Sequence, residues 1–154
     1  EAPRIIEPQD VFILNSMLQD VIRVGTGRRA LSLGRADLAG KTGTTNDAQD
    51  AWFAGYQRNM VALAWVGYDQ PRSLGERETG GGLALPIWID FMQEALKKVP
   101  VSTPEMPAGV MRINGEVYTA RSAPGVGVSS LGLEDPVTIE ELLLQKGQAG
   151  QTGN

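Results

Sequence analysis

The sequence contains no cysteine and no histidine. These absences remove disulfides, a cysteine nucleophile, a Ser-His-Asp triad and the ordinary nitrogen and sulfur ligands of zinc, and neither a metal nor another cofactor is expected. Positive charge is sparse as well. The 14 Lys and Arg are scattered among 18 Asp and Glu, for a net charge of −4, so there is no basic stripe to follow a phosphate backbone and nucleic acid is not expected as a partner. No apolar run approaches the ~20 residues that span a bilayer, and Glu1-Ala2-Pro3-Arg4 lacks the regions of a signal peptide. Membrane anchoring, if any, is expected through sequence upstream of Glu1. Catalysis must use Lys, Ser, Thr, carboxylates or backbone groups.

What remains is an ordinary globular composition: 154 residues, 42% hydrophobic and 21% charged, enough for about one domain of ~100–200 residues. Val11, Leu14, Met17, Leu18, Val21 and Ile22 recur on one face and predict a helix from Pro8 to Val24, with Asp10 and Arg23 complementing its dipole. Two apolar runs, Ala51 to Tyr56 and Met60 to Tyr68, are separated by Gln57-Arg58-Asn59 as in a hairpin. Both faces of the second run are apolar, which predicts a sheet covered on both sides. Leu85, Trp88, Ile89, Met92, Ala95, Leu96 and Val99 predict a second helix, with Pro86 near its start. Pro100 to Pro107 reads as a linker, Val110 to Thr119 as a hairpin turned by Asn114-Gly115, and Thr138 as the cap of a short helix with Glu141 reaching back. Gln148 to Asn154 is small and polar and is expected to be disordered. The expected units are residues 1–99, an extension over 100–147, and the tail 148–154.

Lys41-Thr42-Gly43-Thr44 is the string that asks for a chemical explanation. On an extended strand, Lys41 and Gly43 project to one face and Thr42 and Thr44 to the other. A glycine lets a second backbone approach, and an ammonium with two hydroxyls beside an open strand edge suits an anionic, peptide-like ligand added as a strand. The bland alternative makes the glycines turn punctuation, the lysine a solvated charge and the threonines ordinary strand formers. A phosphate-binding P-loop fails on spacing, because the position of its first glycine holds Arg35.

Gly40-Lys41-Thr42-Gly43-Thr44-Thr45-Asn46-Asp47 followed by Asp50-Ala51-Trp52-Phe53-Ala54-Gly55-Tyr56 resembles the third active-site motif and next strand of penicillin-binding proteins, above all the bifunctional class A peptidoglycan synthases of Gram-negative bacteria. Gly25-Thr26-Gly27-Arg28-Arg29-Ala30, Trp65-Val66-Gly67-Tyr68-Asp69, Thr79-Gly80-Gly81 and Ala84-Leu85-Pro86-Ile87-Trp88 extend the likeness over roughly residues 5 to 99. The resemblance implies an α+β fold: three antiparallel strands of the penicillin-binding and serine beta-lactamase-like sheet, flanked by helices, with the C-terminal hairpin as an addition. It implies a D,D-transpeptidase acting through a serine acyl-enzyme on peptidoglycan stem peptides and inhibited by beta-lactams, in a parent that also carries a glycosyltransferase and works on the periplasmic face of the inner membrane.

By the same resemblance, Lys41 keeps the site electropositive and helps proton movement, Thr42, Gly43 and Thr44 bind substrate, and the Thr44 N–H forms half of an oxyanion hole. Thr45, Asp50, Trp52 and Phe53 are structural neighbours, with Asp50 read as a brace and a solvated charge as its alternative.

The sequence departs from the family's pattern at two motifs. No serine has Lys three residues on, so S-x-x-K is absent, and no Asn follows a Ser by two, so S-x-N is absent. The chain is therefore expected to be the C-terminal part of a transpeptidase domain, one wall of a site whose other half lies upstream, and to be inactive alone. A carboxypeptidase or beta-lactamase, and a non-catalytic interaction module binding a partner through the Asn114-Gly115 hairpin and the exposed strand edge, are the alternatives.

Overall fold

In a computed structural model, residues 3–76 and 78–124 are described. The helix expected at Thr138 and the tail 148–154 lie outside them. Helix α1 (Pro8–Arg23) leads through a 3-10 turn (Arg28–Leu33) into strand β1 (Ala39–Thr44). Strands β2 (Asp50–Gln57) and β3 (Met60–Gly67), helix α2 (Leu85–Ala95) and the hairpin β4 (Val110–Ile113) and β5 (Glu116–Thr119) follow. The architecture is α+β, with a three-stranded antiparallel sheet in the order β1-β2-β3 and a separate two-stranded hairpin.

Local chemistry explains most of these elements. Pro8 opens α1 where its missing N–H is no loss, and Arg23 pairs with Asp20 in the last turn at 2.6 Å. Asn114 and Gly115 both take positive φ, 52° and 92°, as the two-residue turn between β4 and β5 requires. Helix α2 is entered through a wide turn, Gly80–Ala84, where the Thr79 hydroxyl accepts from the Gly82 N–H at 3.1 Å. The chain is thus already helical through Gly80-Gly81-Gly82.

One face of the sheet carries the core. Phe53 and Trp88 meet edge to face with ring centroids 4.9 Å apart, and Ile22, Ala30, Leu38, Ala51, Ala64, Leu85, Met92 and Leu96 close around them. A Cβ at Gly55 would lie 2.7 Å from the Trp88 ring, so the glycine makes room for the indole, whose N–H donates to the Ala62 carbonyl at 3.1 Å.

Two expectations about burial are corrected. Among the described residues the sheet is covered on one side: Val61 and Leu63, 80% and 63% exposed, lie with Trp52 and Trp65 on a second face that α1 meets at the Tyr56 corner, where Tyr56 donates to Asn15 at 3.0 Å. The stripe of α1 is likewise buried only in part. Ile22 enters the core, whereas Val11, Leu14 and Met17 are exposed, because the described residues supply no second layer over them.

The segment from Pro100 to Pro107 is fastened at its start. Asp37 accepts from Arg35 Nε at 3.0 Å and Nη2 at 2.8 Å, from Gln57 Nε2 at 3.0 Å and from the Ser102 N–H at 3.0 Å, while Arg35 also reaches the Val99 carbonyl at 2.7 Å. Burial alone raises the Asp37 pKa and is the largest single influence, but the donors from Arg35, Ser102 and Gln57 together outweigh it and hold the carboxyl below its ordinary value. Burial raises the pKa of Tyr56.

Candidate active site along strand β1

Strand β1 is an edge of the sheet, and its register decides which backbone groups it offers. The Thr45 N–H donates to the Asp50 carbonyl at 3.2 Å, so Thr45 and Asp50 form a hydrogen-bonded pair that continues the Gly43–Trp52 and Lys41–Ala54 pairings. In an antiparallel ladder such pairs alternate, so the N–H and C=O groups of Gly40, Thr42 and Thr44 point away from β2. The Lys41 ammonium confirms the direction by bonding the Thr42 carbonyl at 2.8 Å. Lys41 and Thr44 are exposed, and Lys41 has no carboxylate partner among the described residues.

The two threonine hydroxyls are held from the opposite face. Thr42 Oγ1 lies 2.8 Å from Thr26 Oγ1, at the corner after α1, and Thr44 Oγ1 accepts from the Gly80 N–H at 3.1 Å. Gly80 lies flat on the strand pair: a Cβ there would stand 2.2 Å from the Trp52 carbonyl oxygen and 2.6 Å from that of Gly43. No side chain fits between these backbones. Gly43, on the other face, leaves a Cβ position 3.2 Å from that of Trp52.

The remaining predicted residues frame the turn after β1. Thr45 Oγ1 accepts from the Asp50 N–H at 2.8 Å, and Asp50 Oδ1 accepts from the Trp65 indole at 2.8 Å. Trp52 stacks obliquely on Trp65 at 6.0 Å, whereas Phe53 is fully buried beneath the strand. Lys41, Thr42, Gly43 and Thr44 thus stand together on one strand, with Thr45, Asp50 and Trp52 bordering it. Nothing in the sequence alone assigns a role to Thr26 and Gly80. Their signals were present in Gly25-Thr26-Gly27 and in the run of three glycines, but the contacts join positions 16 and 36 residues apart. A groove of about 710 Å³ between α1 and residues 102–107, lined by Phe12, Tyr56 and Arg58 among others, lies at the far end of β1 from Thr44.

Chemically, this strand offers an ammonium with no carboxylate partner among the described residues, two hydroxyls of which Thr44 is an acceptor toward Gly80 and Thr42 shares a bond of either direction with Thr26, and an outward backbone N–H. Those groups can bind an anion and an extended peptide and can stabilise developing negative charge, but they include no activated nucleophile.

No protein-family model matches the chain. Its sequence is 51% identical over 146 residues to penicillin-binding protein 1A of Pseudomonas aeruginosa, covering 92% of this chain and 18% of that protein. It is 44% identical over 135 residues to penicillin-binding protein 1A of Neisseria gonorrhoeae, covering 86% and 17% respectively. The crystal structure of penicillin-binding protein 1A from Haemophilus influenzae superposes with a TM-score of 0.73 at 33% identity, over 80% of this chain and 22% of that one. The chain belongs to the penicillin-binding protein family. It spans less than a fifth of the length of these two curated relatives. Among the described residues, no helix is long and apolar enough to cross a membrane.

Proposed function

We propose that this segment supplies one wall of a serine D,D-transpeptidase site that cross-links peptidoglycan stem peptides and is acylated by beta-lactams. The observation that carries the reading is the outward N–H of Thr44 on an edge strand whose neighbour Lys41 is exposed and unpaired by any carboxylate of the described residues. A stem peptide laid along β1 meets the Thr42 and Thr44 groups, and its terminal carboxylate accepts a hydrogen bond from each hydroxyl. A serine from sequence outside these 154 residues attacks the carbonyl of the penultimate D-alanine and forms an ester. The carbonyl oxygen takes up the negative charge, and the Thr44 N–H is one of its two donors. Collapse of that intermediate breaks the amide bond, and terminal D-alanine leaves after its nitrogen is protonated. An amine of a second stem peptide then attacks the ester, forms the cross-link and returns the proton to the serine. The Lys41 ammonium lowers the cost of negative charge throughout and favours the proton transfers.

In this reading the 154-residue chain alone is not acylated, because it has no S-x-x-K serine. Residues 1–99 belong to the transpeptidase domain and 100–147 to an extension, and the parent works at the periplasmic side of the inner membrane. Fluorescent penicillin is applied to the full-length parent and the labelled peptide is mapped by mass spectrometry. A label on an upstream serine in an S-x-x-K peptide, diminished in Lys41→Ala, supports the reading. An unlabelled parent overturns it.

A further inference from the structure

The hydroxyls of Thr42 and Thr44 each carry one proton, and each can serve an anion only if that proton is not already committed elsewhere. For Thr44 the matter is fixed by chemistry. Its partner, the Gly80 N–H at 3.1 Å, can only donate, so Thr44 Oγ1 is the acceptor and its own proton stays free. For Thr42 the partner is another hydroxyl, Thr26 Oγ1 at 2.8 Å, and either atom can donate. An anion at the edge of β1 selects one direction: Thr42 gives its proton to the anion, and Thr26 gives its own to Thr42. Two parallel chains result, Gly80 N–H to Thr44 to anion and Thr26 O–H to Thr42 to anion, and each polarises the hydroxyl that faces the ligand. Thr26 is itself set in place by the fold. It follows the last turn of α1, between Gly25, whose N–H bonds the Asp20 carbonyl at 3.0 Å, and Gly27, whose N–H bonds the Val21 carbonyl at 2.8 Å.

We infer that Thr26 is a positioning residue for carboxylate recognition, acting through Thr42, so that the corner after α1 sets the preference of the site for acids over their esters. The inference rests on the transpeptidase reading given above. Its test uses the full-length parent and two probes, a penicillin as the free acid and the same penicillin as its methyl ester, with the second-order acylation rate measured for each. One neutral hydrogen bond of ordinary worth corresponds to about a five- to tenfold change. Thr26→Val is expected to lower the rate with the free acid by about that factor and to leave the rate with the ester unchanged, and Thr26→Ser is expected to restore the acid rate. Thr26→Ala is made alongside, so that if one variant misfolds, as read by its melting curve, the other decides.

An acid rate in Thr26→Val equal to that of the unmodified protein overturns the inference, and so does an equal loss with acid and ester, which marks a structural role. Thr42→Val separates the two levels of the argument. If Thr42→Val loses the preference for the acid and the Thr26 variants keep it, only the role of Thr26 fails. If Thr42→Val keeps the preference, the reading of the site fails and the inference falls with it.

Discussion

Asp37→Asn is the most informative single change away from the active strand. The side chains of Asp37 and Arg35 are 2% and 11% exposed, so the pair is shielded from water, and every partner of the carboxylate among the described residues is a donor: Arg35 twice, Gln57, and the Ser102 backbone and hydroxyl. An asparagine keeps one acceptor oxygen and places an NH2 group where the other stood. Whichever way the amide turns, at least one N–H faces another N–H, and the guanidinium is left without its counter-charge. Removing one partner of a buried pair costs about 3–5 kcal/mol, and the retained oxygen puts the expected loss near the lower end, about 3 kcal/mol. Replacing both partners, as Arg35→Met with Asp37→Leu, is expected to cost clearly less than the two single changes added together, with a coupling energy of about 2 kcal/mol. Two readouts apply in the full-length protein: the denaturant midpoint of the transition that exposes Trp88, and the hydrogen-exchange protection of the Ser102 amide. A shift of less than about 0.5 kcal/mol in Asp37→Asn, with Ser102 protection unchanged, would mean that the cluster carries no more stability than an exposed surface site, since surface substitutions fall within that range.

The same carboxyl gives a pH dependence. Its folded-state pKa is depressed below the ordinary value of 3.8, so its contribution is present above that value and is lost as pH falls through the lower folded pKa; acid titration should release the Ser102 amide in that window, and Asp37→Asn should abolish the effect. Trp88→Ala, which empties the space against Phe53 and Gly55 and removes the indole donor, is expected to cost about 3–5 kcal/mol by thermal melting. Gly80→Ala should abolish penicillin acylation of the parent, because backbone atoms of Gly43 and Trp52 block the new Cβ. Gly82→Ala, whose nearest obstacle is Thr79 Oγ1 at 3.4 Å, should retain acylation and serve as the control. The isolated chain is expected to associate at micromolar concentration through the open face of β3, and a sharp two-state melt of a soluble monomer would count against this.

What the sequence reveals and what it conceals follow from the range of the interactions concerned. Helix α1, the β2–β3 hairpin and the Asn114-Gly115 turn are readable because each is specified by residues within a few positions of one another. The strand carrying Lys41 to Thr44 is also readable, and so is the alternation of its side chains. The covering of faces is not. Val61 and Leu63 have the pattern of buried strand residues, yet whether a layer lies over them depends on other sequence. The Arg35-Asp37-Gln57-Ser102 cluster escapes for a related reason: its members are spread over almost half the chain and are individually unremarkable polar residues. Gly80 falls between the two cases. Three consecutive glycines announce a close approach, but only the fold shows that the neighbour is β1.

That contact bears on how such a site can change over generations. Where a side chain holds a wall in place, evolution can shift the wall in small steps by exchanging one methyl group for another. Here peptide backbone rests on peptide backbone, with no side chain between Gly80 and the Gly43–Trp52 pair that mutation could enlarge or trim. The spacing behind β1 is therefore closed to gradual adjustment at position 80. Variants that alter how the strand discriminates between ligands must instead arise among the hydroxyl-bearing neighbours, Thr26, Thr42 and Thr44, or in elements that approach the opposite side of the edge.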